Sequence, residues 1–152
     1  MSARPVFDGR PVSGTVRLQG GSFGTWQPYG RLNFRLGGRW ALSAAAGGTL
    51  TRGDFPLEDG TLRVNIDLRQ LRAGLDLYGL LEGGDFHAKV YCNGAGRGTP
   101  GSRRWPSTDR QTDRNVFGQF LLRWSFGGVY SLQLSGKTAY DRLLYRTDTR
   151  RR

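Results

Sequence analysis

From Arg31 to Leu36 apolar and polar side chains alternate strictly, Leu32, Phe34 and Leu36 against Arg31, Asn33 and Arg35. A two-residue period of this kind is that of a strand with one apolar side. The period recurs along the chain. Residues 15 to 19 read as an earlier strand that reverses around Ser22 to Thr25. Past Gly37-Gly38, Trp40, Leu42, Ala44 and Ala46 share one side, while Ala41, Ser43, Ala45 and Gly47 form a small-residue side suited to close packing.

Between Thr61 and Leu81 the phase changes: Leu62, Val64, Ile66 and Leu68 are followed by Leu71, Ala73, Leu75 and Leu77. One long strand with a bulge near Gln70 explains the shift, because an extra residue moves the register by one; two strands broken there explain it as well. Phe86, Ala88, Val90 and Cys92 come next, opposed by His87, Lys89, Tyr91 and Asn93. Two further strands cover 116 to 126 and 129 to 140. The fold class expected is all-β, an antiparallel meander of about seven long strands.

The reversals are unequal. Gly37-Gly38, Gly83-Gly84 and Gly127-Gly128 make tight turns, and the connections at the opposite end, Gly53 to Thr61 and Gly94 to Arg114, are long. The second long connection has no period and reads as an exposed loop. Strands of about ten residues, at about 3.3 Å per residue and a tilt near 40°, rise roughly 25 Å, the apolar height of an outer-membrane barrel. Globular strands are commonly about 5 to 6 residues long. Aromatic residues gather beside the turns, with Trp40, Trp124, Phe126 and Tyr130 at the tight rim and Trp26, Tyr29, Tyr140 and Tyr145 toward the other, as interfacial girdles do. A partial transmembrane β-barrel is the expectation. A soluble sandwich writes the same alternation, so strand length and turn asymmetry carry the choice.

Composition agrees with strands and turns: 24 of 152 residues are glycine and the mean hydropathy is −0.52. The formal net charge of +11, with 23 basic against 12 acidic residues, favours anionic partners. One cysteine, Cys92, allows neither an internal disulfide nor a zinc ribbon. No run of about 18 apolar residues and no charged-then-apolar leader occurs, so a membrane protein here is strand-built and a longer precursor is expected.

Five segments stand in order along the chain: Gly21-Ser22-Phe23-Gly24-Thr25, Arg52-Gly53-Asp54-Phe55-Pro56 followed by Arg63-Val64-Asn65-Ile66-Asp67, Gly96-Arg97-Gly98-Thr99-Pro100-Gly101, Asp109 to Phe117, and Gly136-Lys137-Thr138-Ala139-Tyr140-Asp141. Together they resemble the early barrel of TonB-dependent outer-membrane receptors, with the flavour of the cobalamin-receptor-like subgroup. The resemblance implies a plug-to-barrel connector at 1–12, a partial barrel at 13–141, and a basic tail or truncated extracellular loop at 142–152. It also implies a parent in the bacterial outer membrane that takes up a scarce ligand such as a corrinoid or iron chelate. The partners implied are outer-membrane lipid, a plug domain and TonB. Measured against that family, the plug, the TonB-contacting segment and most of such a barrel are expected to lie outside these 152 residues.

In that family the loops capture ligand, which points to Asp54, Phe55, Asp59, Arg97, Arg103, Arg104 and Trp105. Arg17, Arg31, Arg35, Arg63, Asp67, Arg69 and Lys137 are expected to face the lumen, hydrating the wall or contacting the plug. No catalytic set, metal set or cofactor is expected, and the chain is not read as an enzyme. Gly96 to Gly101 matches a dinucleotide pattern by letter but holds Pro100 and opens no helix. Gly136-Lys137-Thr138 sits in a strand pattern, with Ser131 where a phosphate loop needs glycine. His87 has no placed nucleophile or co-ligand. The alternative is a small soluble basic β-domain that binds nucleic acid or another anion; it requires arginines gathered beside aromatic platforms, whereas here they are spread.

Overall fold

The computed structural model describes residues 10–102 and 104–147, and Arg103 lies outside the described residues. Seven strands follow one another: β1 (Val12–Gly21), β2 (Thr25–Leu36), β3 (Trp40–Thr51), β4 (Leu68–Leu81), β5 (Gly84–Gly98), β6 (Arg110–Phe126) and β7 (Tyr130–Arg146). They pair in sequence order, each antiparallel to the next, as one open meander that does not close into a barrel. Every pair of elements in substantial contact is a pair of sheet neighbours, so among the described residues no strand or helix is stacked on either face.

Turn chemistry sets the meander. The tight rim carries residues 37–39, 82–83 and 127–129; Gly127 and Gly128 both have positive φ (62° and 67°), which glycine adopts without strain. Neighbouring hairpins are tied together there. Ser125 N donates to Gly83 O at 2.7 Å, Leu80 N to Arg39 O at 2.7 Å, and Trp124 Nε1 to Glu82 O at 3.0 Å. Gly79 has a second use: a Cβ there would overlap the Trp40 ring on the adjoining strand, so only glycine lets that indole lie flat.

Three expected boundaries move. Residues 61–67 do not extend β4 through a bulge at Gln70. Pro56 and Leu62 bridge a small hairpin instead, and Asn65 adopts a left-handed φ of 58°, which breaks the extended run before Leu68. Leu62, Val64 and Ile66 are therefore loop residues. The expected loop from Gly94 to Arg114 shrinks to 99–109, because β5 continues through Gly94 and Gly96, paired on both sides, to Gly98, paired with Arg110. At the far end, β7 runs on to Arg146, past residue 141.

Cross-strand partners share a side, so the register assigns both faces. One carries Leu32, Phe34, Leu42, Leu75, Leu77, Phe86, Val90, Phe120, Leu122, Leu132 and Leu134. The other carries Arg31, Asn33, Ser43, Asp76, His87, Lys89, Gln119, Arg123, Gln133 and Lys137. The small residues of β3 lie on this polar side between larger neighbours. Ala41 is opposite Arg35 and Tyr78, Ser43 accepts from Arg31 Nε at 3.1 Å, and Ala41 and Thr49 are buried. No large side chain among the described residues is fully buried.

Candidate functional site

The apolar side is exposed along its whole breadth. Val16 is 89% exposed, Leu71 65%, Leu75 53% and Leu134 51%. Contiguous apolar patches of this extent on a protein surface mark an interaction face. Its outline is regular. Along β2, β3, β4, β6 and β7 the uncharged stretch of that side covers 26–36, 40–50, 71–81, 116–126 and 130–140, six side positions over eleven residues in each, and in β5 it covers 84–98.

The stretches are staggered. Along the pairing row Gly30, Ala46, Ala73, Cys92, Val116, Tyr140, the tight-rim end lies six residues away in β2 and β3, at Leu36 and Trp40. It lies eight away in β4 and β5, at Leu81 and Gly84, and ten away in β6 and β7, at Phe126 and Tyr130. The band steps by two residues per two strands. With about 3.4 Å per residue and about 4.8 Å between strands, that step corresponds to a strand tilt of about 35°. Ten residue steps at that tilt give a band about 28 Å high, against roughly 25 Å for the apolar belt of an outer-membrane barrel.

Aromatic residues border the band. Trp40 lies 6.5 Å from Phe86, Trp124 is edge-on to Phe126 at 6.3 Å, and Phe126 stacks on Tyr130 at 5.7 Å. At the other border Trp26 and Tyr140 are on the apolar side. Tyr29 and Tyr145 are not: their partners Arg17 and Gln111 put them on the polar side. Within the band, Gly30, Ala46, Ala73 and Cys92 floor a shallow groove of about 610 Å³ walled by Val16, Leu32, Leu75 and Val90.

The polar side is cross-linked. Arg123 bonds Asp85 at 2.8 Å, Gln70 donates to Asn93 at 2.9 Å, His87 lies 3.4 Å from Asp76, and Asn115 donates to Asp141. Arg17, Arg31, Arg35 and Lys137 are on this polar side. Arg69 is not. It is paired with Leu50 and Gly96 and stands on the apolar side, two residues from Leu71, because the break before Leu68 reverses the expected parity. Arg63 and Asp67 lie in the loop 52–67 rather than on a strand.

Loops 52–67 and 99–109 form a folded cap on the opposite rim. Asn65 Nδ2 donates to Thr99 O (3.2 Å), Ser107 O (2.8 Å) and Asp109 O (2.8 Å), joining the two loops through one side chain. Arg110 grips Asp67 with two bonds of 3.1 and 2.6 Å, which holds the Asp67 carboxyl below the usual carboxylate range. Tyr145 donates to Asp109 at 2.9 Å, which raises the phenol above its ordinary value. Sequence reasoning missed Asn65 as the joint; its left-handed φ is the only local mark of the role.

The loop residues expected to take ligand are held separately. Phe55 packs edge-on against Phe23 at 6.0 Å, with the Arg63 guanidinium 5.9 Å from its ring centre. Asp54 lies 3.6 Å from Arg52, Asp59 accepts from the Thr61 backbone and hydroxyl, and Arg97 lies on the polar side 3.9 Å from Asp113. Arg104 and Trp105 are exposed, Trp105 at 69%. Among the described residues no group of His, Cys, Asp and Glu is placed to hold a metal, and no helix is long and apolar enough to cross a membrane. No protein-family model matches the chain, and no curated protein matches it as a relative.

Proposed function

We propose that this chain is a wall segment of an outer-membrane β-barrel, its apolar side toward lipid and its polar side toward an aqueous interior. The observation that carries the reading is the staggered band: at least six successive uncharged positions on one side of each of six strands, stepping at the angle that barrel strands adopt. A soluble sheet of one layer would leave that entire side in water. A nucleic-acid-binding domain would do the same, and its basic groups would be offered by a polar side that already engages Asp76, Asp85 and Asp113.

The open edges fit the same reading. β1 and β7 run in the same direction, both toward the capped rim, so an antiparallel cylinder needs an odd number of further strands between them. The finer assignment, a TonB-dependent receptor that imports a corrinoid or iron chelate with a plug inside, rests on the resemblance of the ordered segments. The cap over one rim is where such a receptor would meet its ligand.

Cys92 supplies the test. It is exposed on the apolar side within the band and is the chain's one thiol. In phosphatidylcholine vesicles the thiol should resist a charged maleimide and a nitroxide on it should be quenched by oxygen; in C92S/Y91C, one residue on, the labelled thiol should respond to an aqueous relaxer. Equal behaviour at the two positions would refute the lipid-facing assignment.

A further inference from the structure

Three arginines stand on the apolar side just beyond the band, where it borders the capped rim: Arg69 after Leu71, Arg114 before Val116, and Arg142 after Tyr140. All three are exposed. Arg114 and Arg142 are direct cross-strand partners, like charges facing each other on one side of a ladder, which is unfavourable unless an anion lies between them. The acids next to them in sequence do not help. Asp113 and Asp141 point to the opposite side by alternation, toward Arg97 and Asn115. Arg52, Arg110 and Arg123 have carboxylate partners within 4 Å; among the described residues these three outward arginines form no such salt bridge, although the Arg69 charge helps to lower the Asp67 pKa.

β5 passes between Arg69 and Arg114 and presents only glycine there, Gly96 opposite Arg69 and Gly94 opposite Arg114. A Cβ at either glycine would meet nothing within 4 Å, so the floor between the arginines is open. Two strand spacings and one two-residue step separate the two backbones by about 12 Å, within the combined span of two extended arginine side chains. Guanidinium groups bind phosphate oxygens in a bidentate manner. Directly below Leu71 and Gly94 begins the apolar groove floored by Ala73 and Cys92.

A basic notch above an apolar groove has the shape of an amphiphile. We propose that this notch binds the phosphate of an anionic membrane lipid, with an acyl chain lying in the groove beneath; the proposal rests on the lipid-facing reading of the wall. The positions explain what the fold otherwise leaves unexplained, namely three arginines without a salt bridge on the one side that carries no charge for eleven residues below them.

The full chain, in neutral maltoside micelles with equal amounts of phosphatidylglycerol and phosphatidylcholine, is re-isolated and its bound lipid measured by mass spectrometry. Phosphatidylglycerol should be enriched about tenfold, the worth of one or two charge-assisted hydrogen bonds. R69Q/R114Q/R142Q should abolish the enrichment, and R17Q/R31Q/R35Q, three charges removed from the polar side, should keep it. Retention in the first variant, or no enrichment in the unaltered chain, overturns the proposal. So does displacement of the lipid by excess inorganic phosphate, which would mark a free-anion site. Failure of the wall itself reads differently: Cys92 then reacts with charged maleimide in vesicles.

Discussion

Leu134 and Ser135 are consecutive, lie at nearly the same depth, and differ in which side they occupy: Leu134 pairs with Leu122 on the apolar side and Ser135 with Leu121 on the polar side. Leu134 is four residues into the band 130–140, about 11 Å above its lower border at the tilt given above. Replacing a side chain that is already 51% exposed with arginine costs little in water, within about 0.5 kcal/mol for a surface site. At the middle of a bilayer the same change costs about 2–4 kcal/mol, falling to about 0–1 near the interface. Leu134→Arg should therefore weaken vesicle-inserted chain roughly 30- to 900-fold at equilibrium, whereas Tyr140→Arg at the border should cost less than tenfold. Ser135→Arg should have no such depth-dependent effect. Urea titrations of the chain in phosphatidylcholine vesicles, followed by tryptophan fluorescence, read these differences. Equal, small effects at 134 and 135 would refute the claim that the apolar side meets hydrocarbon.

Other consequences are local. Asn65→Ala removes three hydrogen bonds and places alanine at a positive φ, so the cap should loosen by about 1–3 kcal/mol and loops 52–67 and 99–109 should become protease-sensitive while strand content is kept. Intact loops in that variant would deny Asn65 its joining role. Because Asp67 is held below its ordinary value by Arg110, its contribution is present above the unfolded carboxylate value and is lost as pH falls through the lowered one. Amide exchange in the cap should therefore accelerate on acidification below about pH 4, and Asp67→Asn should remove much of that dependence. Gly79→Val would force Trp40 off its place, costing about 1–3 kcal/mol by overpacking; an unchanged Trp40 emission in a variant retaining Trp40 as its only tryptophan would count against the contact.

The alternation around Leu32, Trp40, Leu75, Phe86, Leu122 and Leu134 made all-β class, strand number and the two rims legible, because a period of two survives in sequence whatever the strand pairs with. The glycine pairs did the same for the tight turns. What the sequence by itself could not decide was parity across a break. Leu62, Val64 and Ile66 keep the strand period inside a loop, and only the Pro56–Leu62 bridge and the left-handed Asn65 show where extension stops. That single misplacement sent Arg69 to the wrong side and hid its company with Arg114 and Arg142. Likewise the stagger of the band exists only between strands: each stretch of uncharged positions can be counted in one dimension, but its offset from the next is fixed by backbone pairing. Tertiary structure therefore decided the tilt, the notch and the joined loops, since hydrogen-bond register relates residues that sequence order keeps apart.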